Sequence, residues 1–263
     1  MQTVGGLLRQ WRNRRRLSQL DLAIAAGVSP RHVSLVETGR SRPSADMVLR
    51  LATELDVPLR ERNRLLVAAG FAPRYFERPF ETPDMSAVHA AIVRVLGAHE
   101  PYPAVVFDRH WNIVMANRAA AQLLDTASAE LRADPVNMVR LALSPEGLAS
   151  SIVNFADVKN FFRLRLARQL ARTGDPVIAA LYNEFFGATP PEEGPGPDAS
   201  EVVIPMLIRH RGHELRLFST VTTFGTPQDV TLDEISLESY YPADKRSADV
   251  LNELAADRSG TAI

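Results

Sequence analysis

A proline-rich break divides this chain into two regions with different sequence patterns. The stretch FAPRYFERPFETPDM, residues 71–85, holds three prolines at a spacing that no helix or strand tolerates. Before the break, apolar residues recur with a helical period, whereas after it β-rich runs join the helical ones. A chain of 263 residues is long enough for two modest domains. We therefore expect one domain over residues 1–70, a linker over 71–88 and a second domain over 89–263.

Five short helices are predicted between residues 4 and 70. Ser18, with Asp21 three residues later, forms a variant of the capping box that starts a helix. Ser29 followed by Pro30 is typical of an N-cap and a first helical position. Five short helices in so little chain indicate a compact all-α domain with one small core.

The third of these helices, SPRHVSLVETGR at residues 29–40, has too few apolar residues to be buried. Val33 and Val36 fall on one face and must meet the core, whereas the opposite arc is polar and mostly short-chained. The major groove of B-DNA admits one α-helix, and polar side chains near its start reach base edges. The residues expected to read bases are Arg31, His32, Ser34 and Thr38.

The charge is distributed unevenly. Residues 1–80 carry 14 Arg and no Lys against seven Asp and Glu, whereas the remaining residues carry 16 basic against 24 acidic side chains. A basic N-terminal region followed by an acidic remainder is typical of a protein in which only the N-terminal region binds polyanions. The alternative is that the Arg residues simply cap and solvate short helices. The residues expected to hold phosphates or flank the reading helix are Gln19, Ser29, Arg40 and Arg42.

The segment LSQLDLAIAAGVSPRHVSLVETGRSRPSADMVLRLATELDV, residues 17–57, resembles the Cro/C1-type helix-turn-helix of the xenobiotic-response-element (XRE) family of bacterial regulators. The resemblance implies five helices, the third being the reader, and a structural ion pair between Arg12 and Glu37. Pro30 and Leu35 depart from the hydrogen-bonding residues that relatives often carry there. Leu35 would either touch a thymine methyl group or pack against the second helix.

The C-terminal region mixes helices and strands. In chain order we expect a helix (86–98), a hairpin around DRHWN, a helix capped by Asn117, helices at 135–143, 155–173 and 175–187, a mobile segment (188–200), and strands in EVVIPMLIRH, HELRLFSTVTTF and EISLESYY. The first two of these strands join through Arg211 and Gly212 as a hairpin. This order predicts an α+β domain whose sheet comes from both ends of the region and whose helices cover one face.

Residues 89–241 resemble the MmyB-like ligand-binding domain, which has a PAS-like fold. The matching pieces are VVFDRHWNIVMANRAAAQLL, the Phe/Arg-rich helix at 155–173 and LRLFSTVTTFGTPQDVTLDEISLESYYPAD. The resemblance implies a small apolar, fatty-acid-like ligand in a cavity between sheet and helices. The candidate lining residues are Trp111, Met115, Phe155, Phe162, Leu166, Tyr182, Phe185 and Phe218. Arg165, or alternatively Arg163 or Arg168, could meet a carboxylate at the cavity mouth. The alternative for each aromatic or aliphatic side chain is ordinary core.

Several function classes find little support. The chain has no Cys, no P-loop and no Gly-x-Ser-x-Gly elbow. His210 and His213 would make a two-ligand metal site at best. We therefore expect neither an enzyme nor a cofactor or metal. The apolar runs are too short for a membrane span, and the start lacks a secretory signal.

The expected protein is a cytoplasmic transcription regulator. It would bind double-stranded DNA as a homodimer and sense a small apolar ligand. We do not expect it to bind a membrane. One competing interpretation gives the second domain only a dimerisation or protein-docking role, without ligand. A second is an enzyme of unknown class with a DNA-binding appendage, for which the scattered His residues give little support.

Overall fold

The computed structural model describes residues 2–187, 205–225 and 227–256. The expected mobile segment at 188–200 lies outside the described residues. Two compact units are present: unit 1 comprises Met1–Pro79, Ala171–Thr173 and Thr226–Asp233, and unit 2 comprises Phe80–Leu170, Gly174–Gly225 and Glu234–Ile263. The expected linker is therefore divided, since residues 71–79 belong to unit 1 and residues 80–88 to unit 2.

Unit 1 contains the expected five helices. They are α1 (Val4–Arg14), α2 (Gln19–Ala25), α3 (Pro30–Glu37), α4 (Ala45–Glu54) and α5 (Leu59–Ala68). The helix starts follow the hydroxyl residues: Thr3, Ser18, Ser29 and Ser44 each accept a backbone N–H of the first turn. Apolar faces of the helices meet in one core that includes Leu8, Trp11, Leu22, Leu51 and Leu66. The all-α prediction is confirmed.

The helices after the break are α6 (Ser86–Ala98), α7 (Arg118–Leu124), α8 (Met138–Leu143), α9 (Phe155–Thr173), α10 (Pro176–Phe186), α11 (Val230–Glu234) and α12 (Lys245–Ala256). A 3₁₀ turn spans Pro83–Met85, and a π-type turn spans Pro145–Ala149. Helix α12 was not predicted from the sequence. Its residues Val250 and Leu251 are buried in the main core of unit 2. No helix of the described residues is both long and apolar enough to cross a bilayer.

A five-stranded antiparallel sheet organises unit 2. Its strands are β1 (Ala104–Phe107), β2 (Ile113–Ala116), β3 (Met206–His210), β4 (His213–Thr223) and β5 (Ser236–Pro242), in the order β2-β1-β5-β4-β3. The sheet therefore combines strands from both ends of the region, and the α+β prediction is confirmed. Arg211 and Gly212 turn from β3 into β4 with φ of 50° and 81°, which suits a two-residue hairpin.

Helices cover both faces of the sheet, so the prediction of one covered face was wrong. Val105 and Phe107 of β1 point into the main core with helices α7 to α10. Ala104 and Val106 point the other way and pack with Ile92 of α6. All four residues of β1 are buried, because a strand covered on both faces is apolar throughout and shows no alternation.

Candidate DNA-binding surface and ligand cavity

The sequence at each end of α3 fixes which of its residues stay outside the core. Ser29 Oγ accepts the backbone N–H of His32 at 3.1 Å, with Pro30 as first helical residue. Gly39 leaves the helix with φ of 73°, a conformation that glycine adopts at no steric cost. Val33 and Val36 are each only 1% exposed and anchor the helix in unit 1. The remaining faces of α3 are therefore held in a fixed orientation.

A buried ion pair ties α3 to α1, as the resemblance implies. Arg12 donates from Nε to Glu37 Oε1 at 2.7 Å and from Nη2 to Oε2 at 2.9 Å. Its Nη1 donates to the carbonyl of Leu17 at 2.7 Å. Gln19 Nε2 adds a third donor to Glu37, at 2.9 Å. Since an amide nitrogen carries two N–H groups, Gln19 keeps one for a further acceptor such as a phosphate.

This network makes the stability of unit 1 depend on pH. Burial alone would raise the pKa of Glu37, but hydrogen bonds from Arg12 and Gln19 hold it below its ordinary value of 4.5. The unfolded chain then binds a proton more readily than the folded one, so the stabilisation is present above pH 4.5 and is lost as the pH falls through the folded pKa.

We expect Glu37→Gln to flatten the acid limb of the stability profile. The measurement is a series of urea titrations of the full chain between pH 7 and 3, followed by circular dichroism. In the native chain, part of the loss in unfolding free energy below pH 4.5 comes from protonation of Glu37. An unchanged slope in the variant would show that other carboxylates carry all of the acid sensitivity.

The candidate DNA-contacting residues are not equally accessible. Arg31, Thr38, Arg40 and Arg42 are exposed, whereas Ser34 and Leu35 are half-buried. The Thr38 hydroxyl donates to the carbonyl of Ser34 at 2.7 Å, which leaves its oxygen free to accept. His32 is half-buried, and its Nε2 atom is covered by protein and has no hydrogen-bond partner among the described residues. His32 lies at the margin of the polar arc, where helical periodicity cannot decide the orientation of a ring.

Unit 2 contains an apolar cavity of about 50 Å³ between the sheet and its helices. The sheet supplies side chains from β1, β3 and β5, and the helical layer supplies them from α7, α8, α9 and the turn after α8. The lining residues are Pro103, Val105, Ala120, Leu123, Leu124, Met138, Ala142, Leu148, Ile152, Phe162, Met206, Ile208 and Tyr240. Among the described residues of this lining, Tyr240 alone carries a polar side-chain group.

Most of the sequence candidates for the lining lie elsewhere. Phe162 lines the cavity, whereas Trp111, Leu166 and Tyr182 belong to the main core and Phe155 and Phe185 pack against it. Met115 packs with the core beneath α6. Phe218 stacks on Tyr241 at 5.3 Å, next in β4 to the inward-facing Leu217. Met115 and Phe218 therefore lie on the face of the sheet that points away from this cavity, because side chains alternate between the two faces of a strand.

Arg165 also has a different partner from the one expected. Its Nη1 lies 3.1 Å from Glu238 Oε2, and the Glu238 side chain is only 4% exposed. Ser219 Oγ donates to the other carboxylate oxygen, Oε1, at 2.6 Å. The Arg165 guanidinium lies over the Trp111 ring, 4.5 Å from its centroid. Arg165 is thus already neutralised and does not line the cavity.

Sequence reasoning missed Tyr240 and Glu238. Both lie on β5, two residues apart, and therefore share a face. Burial raises the pKa of Tyr240 well above its ordinary value, and neighbouring Glu238 adds to the rise. The signal was present in SLESYYP, where period-2 alternation puts the lone Glu on the same face as one of the two Tyr residues.

The two candidate metal-binding histidines do not build a metal centre. His210 and His213 lie opposite each other in the β3–β4 register. His210 is 4% exposed, and its pKa is lowered by burial first and then by Arg211 and His213. Within the described ranges, no group of three or more His, Cys, Asp or Glu residues is placed to hold a metal ion.

Two protein-family models match separate parts of the chain. A model of a helix-turn-helix domain matches residues 3–65, and a model of the MmyB-like transcription regulator ligand binding domain matches residues 88–254. No curated protein matches the chain. An RNA-binding light-oxygen-voltage receptor of known structure is similar at 13% identity and a TM-score of 0.29. The match covers 95% of this chain and 62% of that receptor chain.

The two family matches cover different parts of the molecule. The first contains α1 to α4 and most of α5, including the buried ion pair and the polar face of α3. The second spans more than half of the chain and contains the whole five-stranded sheet and every residue that lines the cavity. The chain therefore belongs to the family of transcription regulators with an MmyB-like ligand-binding domain, here preceded by a helix-turn-helix domain.

Proposed function

We propose that this chain is a one-component bacterial regulator of the XRE type that acts in the cytoplasm. Unit 1 binds an inverted-repeat operator as part of a homodimer, and unit 2 binds a small apolar molecule with a fatty-acid-like chain. Ligand alters operator binding by favouring one of two states of the dimer, which requires unequal affinity for the two. The observation that carries the DNA-binding role is the exposed polar face of α3, held by the Arg12–Glu37 pair.

We assign a DNA-contacting role to each candidate residue in and around α3 from its solvent exposure and its hydrogen-bonding groups. Arg31, in the first turn, is exposed and is the side chain best able to read a guanine edge with two hydrogen bonds. Arg40 and Arg42 follow the helix and are exposed, so they suit phosphate contacts. Thr38 and Ser34 offer short hydroxyl groups, Gln19 keeps a free amide N–H, and Ser29 caps the helix whose start approaches the DNA.

Arg31→Ala is expected to cost about 1–3 kcal/mol of operator binding, because a bidentate base contact is lost. Fluorescence anisotropy with operator and scrambled duplexes at fixed salt measures the effect. The matched control is Arg64→Ala on α5, where Arg64 pairs with Glu61 of its own helix. An equal loss on both duplexes would make Arg31 a phosphate contact, and an unchanged operator affinity would remove its role.

The cavity between sheet and helices supports the ligand-binding role. Its volume of about 50 Å³ is smaller than the ~150 Å³ of an engineered cavity that admits benzene. Binding of an alkyl chain therefore requires lining side chains to move. Met138 and Met206 line the cavity, and unbranched methionine side chains adapt readily.

The same small volume favours the competing function, in which unit 2 only dimerises or docks a protein. Native mass spectrometry of gently purified protein distinguishes the two. A consistent extra mass of a lipid-like molecule supports ligand binding. A bare dimer that shows no thermal shift with any alkyl compound supports the competing function.

A further inference from the structure

We propose that the cavity of unit 2 selects neutral alkyl molecules carrying a hydroxyl group over carboxylates of the same chain length. The inference rests on the proposed ligand-binding function and specifies the chemistry of the ligand head. It follows from three features of unit 2: the residues that line the cavity, the partner of Arg165, and the position of Glu238 beside Tyr240.

The described residues that line the cavity offer no positive charge to an anionic head. These thirteen residues are apolar apart from the phenol of Tyr240. A carboxylate that enters such a space loses its water and finds no compensating cation, which makes burial of the charged form unfavourable. A neutral head loses far less on leaving water.

Arg165 is the positively charged side chain next to the cavity, and it already forms an ion pair with Glu238. It pairs with Glu238 at 3.1 Å, and its guanidinium lies 4.5 Å from the ring centroid of Trp111 and 5.5 Å from that of Phe161. If Arg165 turned toward a ligand, these contacts would break. The side chain of Glu238, which is only 4% exposed, would then lose its counter-ion, and an unpaired buried charge is strongly destabilising. The ion pair therefore keeps the arginine away from a ligand head.

Glu238 adds a negative charge behind the one polar group of the lining. Tyr240 lies two residues after Glu238 on the same face of β5, and burial raises the pKa of its phenol well above the ordinary value, with the charge of Glu238 adding to the rise. The neutral phenol can therefore donate a hydrogen bond to a ligand hydroxyl or accept one from it. A ligand carboxylate beside Tyr240 would instead bring a second negative charge close to the buried Glu238, which is unfavourable where the dielectric constant is low.

The test compares decanol with decanoate on the full chain at neutral pH, below the micelle concentration, by calorimetry and thermal shift. We expect decanol to bind at least tenfold more tightly. Equal or tighter binding of decanoate overturns the inference while leaving the proposed ligand-binding function intact. If neither compound binds or shifts the melting temperature, ligand binding itself is rejected and the inference fails with it.

Glu238→Gln is expected to raise decanoate affinity at least tenfold, because it removes the buried negative charge and releases Arg165. Decanol affinity should change by a smaller factor than decanoate affinity, so that the ratio of the two affinities falls. The matched control is Glu184→Gln, which breaks the surface pair of Arg140 and Glu184 at 2.9 Å and should change neither affinity. A Glu238→Gln chain that folds but binds decanoate no better than the native chain overturns the inference.

Tyr240→Phe provides a second variant should Glu238→Gln not fold. Loss of the phenol hydroxyl removes the hydrogen-bonding partner of the ligand hydroxyl, so decanol affinity is expected to fall at least threefold, and decanoate affinity to fall less than decanol affinity. An unchanged decanol affinity in a folded Tyr240→Phe chain would show that the phenol does not recognise the hydroxyl, and would overturn that part of the selection.

Discussion

Replacing Arg12 with alanine is expected to destabilise unit 1 by about 3–5 kcal/mol, the usual cost of breaking a buried ion pair from one side. The variant leaves the 2%-exposed side chain of Glu37 with Gln19 as its remaining side-chain donor. It also removes the hydrogen bond from Arg12 to the carbonyl of Leu17. Since the pair joins α1 to α3, operator binding should weaken together with stability.

The control for this prediction is Arg64→Ala, which removes an exposed ion pair within α5. Arg64 is 62% exposed and lies 3.0 Å from Glu61, so the loss should stay below about 0.5 kcal/mol. Peptide-level hydrogen exchange of the full chain separates the two units and uses peptides of unit 2 as internal reference. Protection of α1 and α3 in Arg12→Ala equal to that in Arg64→Ala would contradict a stabilising role for the pair.

The helices of unit 1 could be predicted closely from the sequence because their ends have chemical signals. A hydroxyl residue that accepts an N–H group of the first turn is visible as Ser18 before α2 and as Ser29 before α3. Val33 and Val36 likewise identify the buried side of α3 through their spacing alone. Spacing alone could not decide the orientation of His32, which lies at the margin of the polar arc.

The cavity could not be predicted, because it depends on distances between layers and not on local pattern. Choosing aromatic residues as its lining favoured Trp111 and Tyr182, which fill the core. The structure instead builds the lining largely from aliphatic side chains such as Ala142, Leu148 and Ile208. Which strand face meets a cavity is decided by register, and the register places Tyr240 of β5 opposite Ser219 of β4.

A close backbone approach also positions part of the cavity wall, at Gly147 in the turn after α8. A Cβ atom at this buried position would overlap the carbonyl oxygen of Leu141 and lie 3.0 Å from its carbon. Backbone atoms cannot rotate away as a flexible side chain can. The turn must therefore shift, and Leu148, the next residue, lines the cavity.

Gly147→Ala is accordingly expected to destabilise unit 2 by about 3 kcal/mol, at the upper end of the usual cost of overpacking, and to weaken alkyl-ligand binding through displacement of Leu148. The control is Gly97→Ala in α6, where an added Cβ meets nothing within 4 Å and helix propensity favours alanine by up to about 1 kcal/mol. Urea titration and decanol binding of both variants measure the two effects. If Gly147→Ala matched Gly97→Ala in stability, the turn would be free to move, and a movable turn would also let the cavity expand around a ligand.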